Sequence, residues 1–262
     1  MSNSLVSTIR DLGRKRGRER RGLALAEGVR LVEEALAAAV PIRGAVVGPA
    51  LEATARGKSL KAALAGAAVP LHEVSSDELA QLADTEHPQG IIAIIAPRRW
   101  DVAHITLAPR DTVLVLDAVQ DPGNVGTMIR TAFALGAGAV IALTGSADLA
   151  NPKVIRSTMG AIFRLPCAVA GTEEFLAWAA EQQLALWVGD IEGEPVSAAG
   201  AERLAEPRVG RVALVVGNEG AGVSDALRQA ASRRVAIPLA DGAESLSVGA
   251  AAAILLYEVL RD

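Results

Sequence analysis

Short apolar runs punctuate the chain: Ile91-Ile-Ala-Ile-Ile95, Val113-Leu-Val-Leu116, Ala139-Val-Ile-Ala-Leu143, Leu165 to Val169, Ala185-Leu-Trp-Val188, Val212-Ala-Leu-Val-Val216 and Val235-Ala-Ile-Pro238. Each is too short for a helix, and most are unbroken by polar residues, the pattern of strands buried on both faces. Helical spacing separates them, over Val125 to Leu135 closed by Gly136, near Val154 to Met159, over Glu173 to Gln183, and in the alanine-rich stretch opened by Glu244-Ser-Leu-Ser-Val248. This alternation predicts a largely parallel sheet with helices on both faces.

The front of the chain reads differently. Residues 23–40 show helical spacing, with Leu25, Val29, Val32 and Leu36 on one face. Ile42 to Val47 reads as a strand, about Glu52 to Ala65 as a helix, and Leu71 to Val74 as a strand. Ser76-Asp-Glu then starts a helix, with Ser and carboxylates in its first turn. With the run at 91–95 these elements make a small α/β unit. From Pro97 to Asp111 the chain is polar and proline-punctuated. The expected organisation is a first domain over residues 1–97, a linker over 98–110 and a second domain over 111–262.

Half of the 262 residues are hydrophobic, so a sizeable core presents no difficulty. The single Cys167 has no partner for a disulfide and reads as a buried apolar residue, while His72, His87 and His104 are scattered as surface or packing residues. No metal site is expected. No apolar run approaches the roughly twenty residues of a membrane helix, and the first residues lack the order of a secretory signal, which points to the cytoplasm. The net charge of -4 excludes a uniformly basic nucleic-acid binder, yet residues 10–30 carry Arg10, Arg14, Lys15, Arg16, Arg18, Arg20, Arg21 and Arg30 against three carboxylates. Such a stretch can neutralise RNA phosphates, although a solvated arginine-rich helix face has the same pattern. Gly13, Gly17 and Gly22 favour a segment that adapts to a partner.

Candidate chemistry lies where strands give way to helices, the places where open α/β sheets meet ligands. In Asp121-Pro-Gly-Asn124 the Pro-Gly pair sets a turn and Asn124 is placed to cap the first free N–H groups. On the helix that follows, Thr127, Arg130, Thr131 and Ala134 form one small or polar face. Arg130 is there either a solvated charge or a fork for a phosphate or carboxylate. Gly217-Asn-Glu-Gly-Ala-Gly222 offers exposed backbone amides around a carboxylate. It is neither a dinucleotide fingerprint nor a P-loop, which disfavours an ordinary nucleotide-binding enzyme.

Asn124-Val-Gly-Thr-Met-Ile-Arg130, Leu214-Val-Val-Gly-Asn-Glu-Gly220 and Ser245-Leu-Ser-Val248 stand in the order and spacing of three motifs. Together they resemble those of the SpoU/TrmH-type RNA 2′-O-ribose methyltransferases. Asn151-Pro-Lys-Val-Ile-Arg156 and Gly160-Ala-Ile-Phe-Arg164 look like the family's intermotif segment. Ala26-Glu-Gly-Val-Arg30 onward and Pro88-Gln-Gly-Ile-Ile-Ala93 resemble its small L30e-like substrate-binding domain. The resemblance covers nearly the whole chain.

It implies a second domain of parallel-sheet type with a deep trefoil knot, S-adenosylmethionine as cofactor, a homodimer formed through that domain, and RNA as substrate, ribosomal favoured over transfer RNA. The implied cofactor residues are Leu143, Thr144, Gly145, Val216, Gly217, Asn218, Gly220, Ile237, Leu239, Ser245 and Leu246. Arg130, Asn124, Glu219 and Ser247 are implied in catalysis. One departure stands out: the third motif usually reads Ser-Leu-Asn-Val, and here Ser247 replaces the asparagine. A shorter hydroxyl at that place motivates the alternative of a non-catalytic RNA-binding protein on the same fold.

Overall fold

The computed structural model describes residues 2–196, 210–243 and 245–261, and these divide into two compact units. The chain begins with α1 (Ser2–Leu12), α2 (Lys15–Arg21), β1 (Ala24–Glu27), α3 (Val29–Ala37) and β2 (Ile42–Val47). It continues through α4 (Ala55–Gly66), β3 (Leu71–Glu73), α5 (Ser76–Leu82), β4 (Ile91–Ile95) and β5 (Thr112–Leu116). Next come α6 (Pro122–Leu135), β6 (Ala139–Leu143), α7 (Pro152–Ser157), β7 (Cys167–Ala170) and α8 (Thr172–Glu181). The last elements are β8 (Ala185–Pro195), β9 (Val212–Val216), α9 (Asp225–Ala230), β10 (Arg233–Ala236) and α10 (Val248–Arg261). Glu244, expected to open the last helix, lies outside the described residues.

The first unit comprises Met1–Arg98 together with Asp148–Arg164. Its sheet has the order β1-β4-β2-β3, with β4 antiparallel to both neighbours and β3 parallel to β2. The unbroken run in β4 is explained by two cores. Ile91, Ala93 and Ile95 face one with Val32, Leu60 and Ile155, while Ile92 and Ile94 face the other with Ile9, Leu12 and Leu79. The helix expected over 23–40 is instead a strand and a shorter helix. Gly28, at φ +97, breaks the chain between them, and Leu25 takes its place in β1 opposite Ile94.

The second unit comprises Arg99–Ala147 and Leu165–Asp262. All six strands are parallel, in the order β10-β8-β9-β5-β6-β7, as the alternation predicted. Phe175 and Trp178 of α8 and Leu227 of α9 join Val113, Val115, Ile141 and Val215 in one core. The alternate residues Leu114, Leu116 and Leu214 are equally buried, and α6 and α10 pack together and against the sheet with Met128, Ile129, Leu255 and Leu256 buried.

Two expectations about organisation change. The segment 98–110 is not a loose linker, because Val102, Ile105 and Leu107 are buried in the second unit's core. The stretch 148–164 joins the first unit, where Ile155 is 1% exposed and α7 packs on β1. Neither is visible in local periodicity, since each rests on contacts far apart in sequence.

Candidate functional site

Segments that leave the carboxyl ends of the parallel strands β5, β9 and β10 lie at the edge where an open sheet of this kind presents a crevice. The loop after β5 leads into α6, whose cap is Asp121: its Oδ1 accepts the Asn124 N–H at 2.7 Å. Asn124 is therefore inside the first turn, not the cap. Its freed side chain donates from Nδ2 to Glu219 Oε1 at 2.8 Å.

The loop after β9 is built around Asn218. Its Oδ1 accepts from the N–H groups of Gly220 at 2.9 Å and Ala221 at 3.1 Å, and its Nδ2 donates to the Ala118 carbonyl at 3.0 Å. Backbone bonds between Asn218 and Gly222 in both directions close the turn. Gly217 is required by proximity, since a Cβ there would lie 2.2 Å from the Gly222 carbonyl carbon. Glu219 is left exposed at the tip and held by Asn124.

The third wall comes from an irregularity. Pairing of β10 with β8 jumps from Arg234 opposite Val188 to Val235 opposite Glu194, so residues 189–193 bulge from the ladder. The apolar run in the sequence ends at Val188, whereas the strand continues to Pro195. The bulge puts Gly189, Asp190 and Ile191 on a cleft of about 390 Å³. Asp190 Oδ2 is buried without a hydrogen-bond partner, with Arg228 Nε at 3.8 Å and Arg234 Nη1 at 3.7 Å.

Val216, Gly217, Asn218, Glu219, Gly220, Ile237, Leu239, Ser245 and Leu246 also line this cleft, so most of the anticipated cofactor residues come together. Leu143, Thr144 and Gly145 do not line it. Leu143 is buried, the backbone N–H and hydroxyl of Thr144 both donate to the Ala170 carbonyl, and Gly145 abuts Ala118. Ser247 begins α10, its Oγ accepting the Ala250 N–H at 3.3 Å. Arg130 is exposed on α6 and has no hydrogen bond or ion pair among the described residues.

The basic stretch of the first unit is not one patch. Arg18 is 5% exposed, paired with Asp148 at 2.7 Å and donating to the carbonyls of Leu12 and Gly13, so it is a structural residue and not a phosphate contact. Arg20 and Arg21 converge on Asp11, and the hydrogen bond from Arg21, then that from Arg20, holds that carboxyl below its usual range. Lys15 faces Glu19 at 3.8 Å. Arg10, Arg14, Arg16 and Arg30 are exposed. Gly17 packs tightly, for a Cβ would meet the Asp11 carbonyl at 2.0 Å.

Cys167 is buried, which pushes its thiol up to about 12 and removes it as a nucleophile. Among the described residues no three His, Cys, Asp or Glu side chains are grouped to hold a metal, and no helix is long and apolar enough to cross a membrane.

Residues 111–257 match the SpoU rRNA Methylase family, and residues 3–93 match the MRM3-like substrate binding domain. The chain belongs to the SpoU rRNA methylase family. It is 34% identical to the 23S rRNA (guanosine(2553)-2′-O)-methyltransferase RlmP of Bacillus subtilis, over 98% of this chain and 96% of that protein. Among solved structures, the AdoMet-bound rRNA methyltransferase from Sinorhizobium meliloti is similar with a TM-score of 0.85 at 30% identity, covering 100% of this chain and 95% of that one. The SpoU methyltransferase AviRb from Streptomyces viridochromogenes, also in complex with AdoMet, has a TM-score of 0.82 at 28% identity, over 98% and 96% of the two chains. For a SpoU methylase, the cleft and the Asn124–Glu219 pair fall on the segments that carry the family motifs.

Proposed function

We propose that this protein transfers a methyl group from S-adenosylmethionine to a ribose 2′-hydroxyl of ribosomal RNA, with the cleft of the second unit as the cofactor site. The observation that carries the reading is the convergence of residues 216–220 with Ile237, Leu239, Ser245 and Leu246 in one cleft, beside the hydrogen bond that joins Asn124 to Glu219.

The cleft suits this cofactor. Its volume of about 390 Å³ is that of a small-molecule site. Ile237, Leu239 and Leu246 offer apolar surface for a purine, and the buried Asp190 Oδ2, facing Arg228 and Arg234 without a hydrogen bond, lies beside it. When bound, S-adenosylmethionine supplies an electrophilic methyl. What the chain adds is positioning. Arg130 cannot serve as a base at neutral pH, since a guanidinium holds its proton, so its role is to clamp an RNA phosphate next to the reacting ribose. Asn124 fixes the Glu219 carboxylate, which accepts hydrogen bonds from substrate hydroxyls. Ser247 contributes by anchoring the start of α10, a part that its shorter side chain can play without the amide of the usual asparagine.

The trefoil knot belongs to the same reading. After edge strand β10 the chain returns at α10 to pack on β5 and β9 in the middle of the sheet, which supports a threaded path. A homodimer through the second unit is supported by Phe133, Ile254 and Tyr257, large apolar side chains left exposed on the paired helices α6 and α10. In the basic stretch of the first unit, Arg10, Arg14, Arg16 and Arg30 are exposed and available to RNA. Work on ribosomal RNA favours the cytoplasm as its location.

The test combines calorimetric titration of S-adenosylhomocysteine, with NAD as control, and a map of 2′-O-methyl positions in RNA from cells with and without the gene. Binding of the first ligand only, and loss of a ribosomal methylation, are expected. An unchanged map would overturn the enzymatic reading.

A further inference from the structure

The first unit holds a second cleft, of about 510 Å³, framed by the α1–α2 corner, the end of α5, strand β1 and the start of α7. We infer that it takes one unpaired RNA nucleotide, with the phosphate at its mouth and the base inside. The inference rests on the proposed RNA substrate and adds a defined place where the first unit grips it.

The charge distribution argues for this polarity. Arg10 and Arg14 line the cleft, both exposed and both without an ion-pair partner among the described residues. Guanidinium forks of this kind bind phosphate oxygens strongly. Carboxylates lie elsewhere on the lining: the buried Glu27, whose oxygens already accept the N–H groups of Asp84 and Thr85 and the Thr85 hydroxyl, and the exposed Asp84, paired with Arg156 at 2.9 Å. Both repel an anion, and the exposed Asp84 has lone pairs left to accept from the N–H groups on a base edge. Leu82, Ala83 and Pro152, each partly exposed on the lining, supply apolar surface for the ring over a floor of the buried Ile9, Leu25 and Ile92. A paired base is out of reach of such a pocket, whereas a splayed base in single-stranded RNA enters it, and the Arg14 plane can stack on it.

The experiment measures anisotropy of a short fluorescein-labelled single-stranded oligoribonucleotide of mixed sequence, and of the same strand in a duplex, with the full chain. Two variants at exposed positions are compared: the double change Arg10→Glu with Arg14→Glu, and Gln81→Trp, which fills the cleft without altering charge. The arginine variant should weaken single-strand binding about tenfold or more and flatten the slope of its salt dependence by about 0.7 for each phosphate that is no longer neutralised. Gln81→Trp should weaken single-strand binding, leave duplex binding unchanged and keep the salt slope. Unaltered thermal midpoints check the fold. If Gln81→Trp binds the single strand like the parent, or if both RNAs weaken equally, the base does not enter and the inference is overturned. Titration of S-adenosylhomocysteine, expected to be the same in all three proteins, reports separately on the cofactor reading of the second unit.

Discussion

Arg130 and Asn218 show how two polar residues in neighbouring motifs divide the labour. Asn218 spends its amide on its own loop and on Ala118, so its task is to hold the shape that Gly217 makes possible. Arg130 is exposed, with Thr127 and Thr131 on the same helix face and no partner among the described residues. A charge so placed contributes little to folding but much to an anion that arrives with substrate. Arg130→Ala should therefore lower the rate of ribose methylation by about 100-fold or more while S-adenosylhomocysteine binds as before. Arg130→Lys, which keeps the charge and loses the fork, should recover only part of the rate. Initial rates on ribosomal RNA beside a calorimetric titration check this, and full activity of the alanine variant would remove Arg130 from the mechanism. The role proposed for Arg130 is read only through its motif. The Asn124–Glu219 bond spans 95 residues, beyond what local spacing can reveal, and capping logic chose Asn124 where the cap is Asp121.

At the scale of elements, the strands were legible because apolar runs buried on two faces leave little else for the backbone to do. What escaped were the elements whose form depends on distant partners. The bulge in β8 hides behind Gly189-Asp190, which locally looks like a turn, yet it supplies a wall of the cleft. The α1–α2 corner is the other case. Arg18 reads as one more cation in a basic stretch, but Asp148 reaches it from 130 residues downstream and two backbone carbonyls complete its environment. Removing one partner of a buried pair leaves the other uncompensated, at a cost of roughly 3 kcal/mol. Asp148 retains some solvent, with 22% of its side chain exposed, so the loss should fall at or below that figure. Arg18→Met is expected to lower the denaturant midpoint of the full chain, whereas Arg16→Met, at an exposed position, should leave it unchanged. Equal midpoints for the two variants would mean that Arg18 is not the brace of this corner.

For the whole molecule, the open question is how α6 and α10 meet solvent. Phe133 is 42% exposed, Ile254 40% and Tyr257 48%, while their helices bury Met128, Ile129, Leu255 and Leu256 beneath. A sheet needs helices on both faces, but it does not need those helices to carry apolar groups on their outer sides. Covering such a face with its own copy would remove it from water, and a stable dimer requires about 1,200–2,000 Å² buried in total. Because α6 carries Arg130 and α10 starts beside Asn124, whose Oδ1 lies 3.5 Å from where a Gly249 Cβ would sit, pairing through these helices would bring the partner close to the motif-bearing loops. Light scattering should give a mass near twice 27.0 kDa for the parent chain. Ile254→Arg places a charge in the middle of the interface with no partner to receive it, and should shift the protein to monomer without lowering its thermal midpoint greatly. If the site is completed across the interface, that monomer should lose methyl transfer more than it loses affinity for S-adenosylhomocysteine. A parent chain that is monomeric at micromolar concentration would sink the dimer, and a monomeric variant with full activity would confine the reaction to a single chain.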